Sequence, residues 1–326
     1  MPTPTTEERI ADIRRELVGM YSRVPWPGNR RADEEMGWRL RCLGIRRDDY
    51  VGKSVLEVGC GTGDYALWYA THGAAEVTGV DLSDGSLAAA EQKKHTHGVE
   101  NISFLKQDVL QLPFPDANFN YSYSVGVLHH TGDPFRGFRE MVRVTKPGGI
   151  VIVSLYNTYS RYLLNLRQRI CKALGGDDID ARVRWGKRLF PLATWKLNRR
   201  YHGLNYEAVL YDCYGCPHET LHSAREVLGW FDQTRLRYIG SFAPLRMQDY
   251  LTAFSLPEYR QFRATFDGFP MMRLVGDAMA QLAGGNRQAK VDFPRPSQLN
   301  ALVSQLLWVP FGLRISCFTI AGRKGE

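Results

Sequence analysis

The chain has 326 residues, 44% hydrophobic and 23% charged, the balance of a globular protein long enough to bury its own core without staples. Its net charge of +8 suits an acidic partner (a phosphate or carboxylate substrate, nucleic acid, an anionic membrane surface) and equally suits a solvated basic surface. Six cysteines without even spacing exclude a disulfide framework, and the N-terminal stretch lacks the apolar run of a signal peptide; the longest apolar stretch, residues 148–156, falls short of the ~20 residues that span a bilayer, so a cytoplasmic protein is expected.

In chain order, Thr5-Thr6-Glu7-Glu8 opens a helix that carries Ile10, Ile13, Leu17 and Met20 at helical spacing. Val24-Pro25-Trp26-Pro27-Gly28 ends it, because each proline lacks an N–H and disfavours helix before it. A second helix is expected over 31–43. From Ser54 the texture changes: strand 54–58, helix 65–71, strand 76–80, helix 82–95, strands 102–107 and 121–125, helix 135–144 and strand 150–155. Strands and helices alternating at this spacing predict an α/β fold with a parallel sheet. Residues 157–217 are basic and partly helical; a helix at 223–231 and strands at 236–242 and 313–321 resume the core pattern. The resulting division has an N-terminal helical cap at 1–50 and a core of 51–156, 218–243 and 312–326. A basic helical insertion covers 157–217, and a second cap insertion covers 244–311.

The strongest chemical signal ends the first strand: Glu57-Val58-Gly59-Cys60-Gly61-Thr62-Gly63. Alternate glycines let the backbone turn sharply and approach a ligand closely. The spacing differs from the Gly-x-Gly-x-x-Gly of dinucleotide folds, which leave a helix N-terminus for pyrophosphate. An acid just upstream suits a cationic, zwitterionic ligand instead. Asp81, with Leu82 after it, ends the second strand where a ribose needs a carboxylate; Asp108, with Val109 after it, follows the third, its carboxylate placed to accept from an adenine amine.

The stretch from Lys53 to Leu155 resembles the class I S-adenosylmethionine-dependent methyltransferases in its glycine motif, Asp81, Asp108, the segment Ser124-Val125-Gly126-Val127-Leu128-His129-His130 and the run Arg143-Val144-Thr145-Lys146-Pro147-Gly148-Gly149. The resemblance implies a Rossmann-like, seven-stranded, mostly parallel sheet with helices on both faces and an antiparallel last strand, here with helical cap insertions. It implies S-adenosylmethionine as cofactor. Glu57, Gly59, Cys60, Gly61 and Gly63 would lie along it, Asp81 and Leu82 on its ribose, Asp108 and Val109 on its adenine, and Val125 on the methyl-transfer side. His129, His130 and Tyr156, with Asn157 beside them, are candidates for catalysis at the carboxyl edge of the sheet. The Asn/Asp-Pro-Pro-aromatic motif of relatives that methylate adenine or glutamine amides is absent.

The acceptor is expected to be a small molecule, acidic or lipid-like, in a pocket walled by the two insertions and by Tyr21, Pro25 and Trp26. RNA modification is the alternative enzyme reading; no recognised RNA-binding module is visible. A non-catalytic scaffold is the alternative from another class. Cys213, Cys216, His218 and His222 can be written as a zinc site, but one CxxC without a second pair is weak, and no metal is expected. Tyr162, Leu163, Leu166, Ile170 and Leu174 recur at helical spacing beside basic residues. Such a helix ordinarily packs over a core, with a lid or a peripheral membrane contact as other uses.

Overall fold

A computed structural model describes residues 5–26, 28, 32–200, 206–242, 244–246, 294–307 and 317–326. Helix α1 (Thr6–Arg23) opens with a capping box in which Thr5 and Glu8 satisfy each other's backbone N–H groups. Helix α2 (Ala32–Cys42) follows. Then come β1 (Ser54–Val58), α3 (Asp64–Thr71), β2 (Glu76–Asp81), α4 (Asp84–His97), β3 (Ile102–Lys106), β4 (Phe119–Val125), α5 (Pro134–Val144) and β5 (Thr145–Tyr156). Local chemistry sets the helix ends: Ser83 and Asp133 cap α4 and α5, proline opens α5, and Gly98 closes α4 in the left-handed region.

A helical layer follows β5: α6 (Tyr162–Gly175), α7 (Ile179–Leu189), α8 (Pro191–Arg200), α9 (Tyr206–Leu210) and a π-helical turn at Tyr211–Gly215. The chain returns with α10 (Ala224–Gln233), β6 (Leu236–Phe242), α11 (Gln298–Leu307) and β7 (Cys317–Lys324). Of the expected insertion at 244–311, only 244–246 and 294–307 lie within the described residues.

The seven strands stand in the order β3-β2-β1-β4-β5-β7-β6. β7 is antiparallel to both neighbours and every other pair is parallel. The expected α/β, Rossmann-like architecture is therefore present. The side-chain period of two sends Leu56, Val58, Val151 and Val153 to one face, against α5 and α10. It sends Val55, Tyr121, Tyr123, Ile150 and Ile152 to the other, against α2 and α3. A third cluster, including Leu164, Cys171, Val183, Leu210 and Tyr214, holds the helical layer together.

Two strand boundaries differ from expectation. β5 begins at Thr145, ahead of Pro147-Gly148-Gly149, because Gly148 at φ +72° lets the strand absorb a register shift against β4. The last strand continues past the expected end at Ala321 to Lys324, because its pairing with β5 and β6 runs on through Arg323 and Lys324; residues 313–316 of the expected strand lie outside the described residues. Helix α6 also differs. Its apolar stripe faces solvent, while Leu164, Gln168 and Cys171 turn inward.

Candidate active site

The glycine turn is tied to the sheet by Val80, whose carbonyl accepts from Gly59 N (2.7 Å) and Cys60 N (2.9 Å). Gly59 adopts φ +74°, and a Cβ there would meet Val127 Cγ2 at 2.3 Å. Gly61, at φ +50°, is different: a Cβ would meet nothing within 4 Å, and the same holds at Gly126. The turn thus packs tightly beneath Gly59 and opens onto space at Gly61. At Gly63 a Cβ would strike the Phe104 ring. Cys60 is buried.

Asp81 braces this turn. Its Oδ2 accepts from Gly61 N at 2.9 Å and its Oδ1 from Ser83 N at 2.9 Å. Burial raises its pKa, against the lowering effect of those bonds. Leu82 beside it is half-buried. Glu57 is 3% exposed, and its Oε2 has no hydrogen-bond partner among the described residues. Burial pushes its carboxyl well above the usual carboxylate range. A buried, unpaired carboxylate oxygen beside open backbone calls for a polar or cationic partner.

Helix α1 crosses the carboxyl edge of the sheet. Arg14 Nη1 pairs with Asp108 Oδ2 at 2.6 Å, Ser22 Oγ lies 3.5 Å from Ser83 Oγ, and Ile10 packs on Gly132. Asp108 also accepts from Leu110 N at 2.9 Å, so its carboxylate is engaged on both oxygens. Val109 is buried and Val125 half-buried at the end of β4.

Beyond Val127 the chain turns into Leu128–His130, and a buried polar cluster forms. The Tyr156 ring lies between the His129 ring, stacked at 3.5 Å between centroids, and the Arg161 guanidinium, 3.3 Å from its centroid. Tyr156 N donates to His129 Nδ1 at 3.3 Å. Burial pushes the His129 imidazole well below its ordinary value, so it is neutral. Its Nε2 has no partner among the described residues.

Asp212, on the π-helical turn, is the hub. Tyr21 donates to its Oδ1 at 3.0 Å, Tyr156 donates to its Oδ2 at 3.4 Å, and His130 Nε2 lies 3.8 Å from Oδ1. Arg161 pairs with Glu219 at 2.9 Å, and Gln168 donates to the same carboxylate oxygen at 3.0 Å. Residues 218–222 run beside the end of β5, where His222 N donates to Tyr156 O and Thr220 N to His129 O. Asn157 is fully buried there and accepts from Gln305 of α11 at 3.3 Å.

Of the residues singled out in the sequence, the glycine turn and Asp81 form one group, His129, His130 and Tyr156 another, and Val127 joins the two by packing on Gly59. Pro25 approaches Gly85 on α4, and Trp26 packs on the core of the helical layer. Asp212, Glu219, Arg161 and Gln168 were missed as site residues. Asp212 had a signal, an acid directly after the run Ala208-Val209-Leu210-Tyr211. Cys213 and Cys216 are buried, and Cys216 Sγ donates to His218 O at 3.2 Å. Among the described residues, no three His, Cys, Asp or Glu side chains are grouped to hold a metal ion.

Residues 56–153 match a family model described as a methyltransferase domain. A demethylmenaquinone methyltransferase of Geobacillus stearothermophilus is 31% identical over 177 residues, spanning 49% of this chain and 73% of that protein. One from Staphylococcus aureus (strain MRSA252) is 38% identical over 120 residues, 35% of this chain and 47% of the relative. Among solved structures, the [4+2]-cyclase SpnF aligns with 100% of this chain and 98% of its own at 17% identity and a TM-score of 0.48, too loose a likeness to bear on chemistry. With the glycine turn, the strand order and these relatives in agreement, the chain belongs to the class I S-adenosylmethionine-dependent methyltransferases.

Proposed function

We propose that this enzyme methylates a small organic acceptor held between the glycine turn and the Asp212 cluster. The observation that carries the reading is Asp212 itself. It is a buried carboxylate that gathers Tyr21, Tyr156 and His130 at the carboxyl edge of the sheet, one side chain (Val127) away from Gly59. That two relatives are named for a small-molecule acceptor, demethylmenaquinone, supports the same class here.

The residues present fit the cofactor. Glu57 offers an unpaired buried carboxylate oxygen, Gly59, Cys60, Gly61 and Gly63 form a turn with open space over Gly61, and Asp81 and Leu82 close the second strand. In our reading Asp108 and Val109 serve the adenine and Val125 the methyl-transfer side. When bound, S-adenosylmethionine supplies an activated methyl group on a sulfonium. The chain then has three tasks: orient the acceptor atom in line, keep water out, and take a proton where the acceptor carries one. In this reading His130 Nε2, 3.8 Å from Asp212 Oδ1, receives that proton with the carboxylate beside it, while neutral His129 and the clamped Tyr156 ring form a rigid wall. We assign the same three covers as the sequence reading, residues 1–50, 157–217 and 244–311, around the core of 51–156, 218–243 and 312–326.

Calorimetric titration with S-adenosylhomocysteine, followed by methyl transfer to demethylmenaquinone, tests this. Asp81→Ala, which removes two charge-assisted hydrogen bonds, is expected to weaken binding by about 10–100-fold. Asp212→Asn is expected to bind S-adenosylhomocysteine as the wild type does and to lose turnover by about 100-fold or more. Full turnover by Asp212→Asn would remove the acceptor site from this cluster.

A further inference from the structure

The helix α6 exposes the side it would ordinarily bury. At 100° per residue, Tyr162, Leu166 and Ile170 fall on one line with Leu163 and Leu174 beside it. All five are exposed, Tyr162 by 64% and Leu163 by 62%. The inward side carries Leu164, Gln168 and Cys171, because Gln168 is drawn to Glu219 and the Asp212 carbonyl. Arg169 and Lys172 edge the apolar line on one side and Arg167 edges it on the other. Arg169 and Lys172 are exposed and have no acidic partner among the described residues. α8 repeats the composition, with Leu192 and Trp195 exposed beside Lys196 and Arg199.

The few acids nearby are already used. Asp178 caps α7 and pairs with Arg184, and Asp180 takes Tyr211 and Arg23. The surface is therefore apolar in the middle and positive at its rim. A second copy of the chain would set Arg169 and Lys172 against their own equivalents in a two-fold contact. An anionic bilayer accepts both features at once: apolar side chains enter the boundary of the acyl chains, while lysine and arginine stems let their charges reach the headgroups. Exposed leucine with a tyrosine, Tyr162, at the start of such a helix matches that boundary.

We propose that this protein docks on anionic lipid bilayers through the outward face of α6. The contact proposed is with the bilayer surface; among the described residues no helix is long and apolar enough to cross a membrane. The inference stands apart from the methyl acceptor and from the assignments at Asp81 and Asp212.

The test is co-sedimentation of the full chain with vesicles of phosphatidylglycerol and phosphatidylcholine, compared with phosphatidylcholine alone, at low and high salt. The wild type is expected to bind the anionic vesicles at least about tenfold more tightly and to be released by salt. The double substitution Leu163→Glu with Leu166→Glu is expected to lower that binding by about tenfold or more. Both positions are exposed, so its circular dichroism, thermal midpoint and S-adenosylhomocysteine affinity should match the wild type. The proposal is overturned if the wild type stays in the supernatant or if the double variant binds equally well. Sedimentation velocity without lipid completes the test: a dimer abolished by the same substitutions, with no vesicle binding, would assign the face to a second copy instead.

Discussion

The guanidinium of Arg161 lies 3.3 Å from the centre of the Tyr156 ring and 2.9 Å from Glu219, with both charged side chains almost wholly buried. One cation thus clamps the aromatic ring of Tyr156 and faces an acid whose side chain is almost wholly buried. The arrangement ties the start of the helical layer to the end of β5, and its cost is the desolvation of both charges.

Removing one partner of that pair leaves the other buried and uncompensated. Arg161→Met is expected to destabilise the fold by about 3–5 kcal/mol, and adding Glu219→Gln should recover much of the loss. Urea denaturation of the two single variants and the double variant measures this; additive losses would mean that the pair is not coupled.

The two tyrosines on Asp212 differ in the quality of their bonds. Tyr21 donates at 3.0 Å and Tyr156 at 3.4 Å, beyond the usual range for an O–H donor. Double-mutant cycles with phenylalanine at each tyrosine and asparagine at Asp212 should give a coupling of about 1–2 kcal/mol for Tyr21 and near zero for Tyr156. A larger value for Tyr156 would contradict the geometry.

Gly59 and Gly61 predict opposite phenotypes. At Gly59 a methyl group collides with Val127, so Gly59→Ala should cost several kcal/mol and fail to accumulate as folded protein. At Gly61 the methyl enters open space and costs only the positive φ, about 1–2 kcal/mol. That space is where we place the cofactor, so folded Gly61→Ala should bind S-adenosylhomocysteine about tenfold or more weakly. Thermal melts with calorimetry separate the two; normal binding by Gly61→Ala would move the ligand elsewhere.

His129 gives the fold an acid limb. Buried and neutral, it resists a proton that the unfolded chain accepts below the ordinary value of 6.5. The unfolded state then binds more protons, so stability is intact above that value and falls as the pH drops through it, by up to about 1.4 kcal/mol per pH unit. His218, lowered mainly by burial, adds to the same slope. His129→Gln removes one contribution, and its urea midpoint should decline less between about pH 7 and pH 5 than the wild type's. Parallel declines would show that His129 is protonated in the native state.

The regular part of the molecule was legible from residue order because its signals are local. Alternating strands and helices, the capping residues Ser83, Asp133 and Ser223, and the glycine turn each act within a few positions. Tertiary pairing altered the strands where a neighbour sets the register. β5 starts early across its glycines, and β7 is placed by Ile320 standing opposite Val153.

The polar cluster was not legible, because Tyr21, Tyr156, Arg161, Asp212 and Glu219 are brought together only by chain closure across distant segments. Sequence alone determined the sheet and its glycine turn, which follow from short-range stereochemistry and burial period, while the family was reached through the resemblance carried by the motifs of residues 53–155. It also marked α6 as two-faced, since spacing reports that a helix has an apolar side. Which side turns inward depends on what waits there. Here a buried acid, Glu219, holds Arg161 and Gln168 inside and leaves Tyr162, Leu163 and Leu166 to solvent.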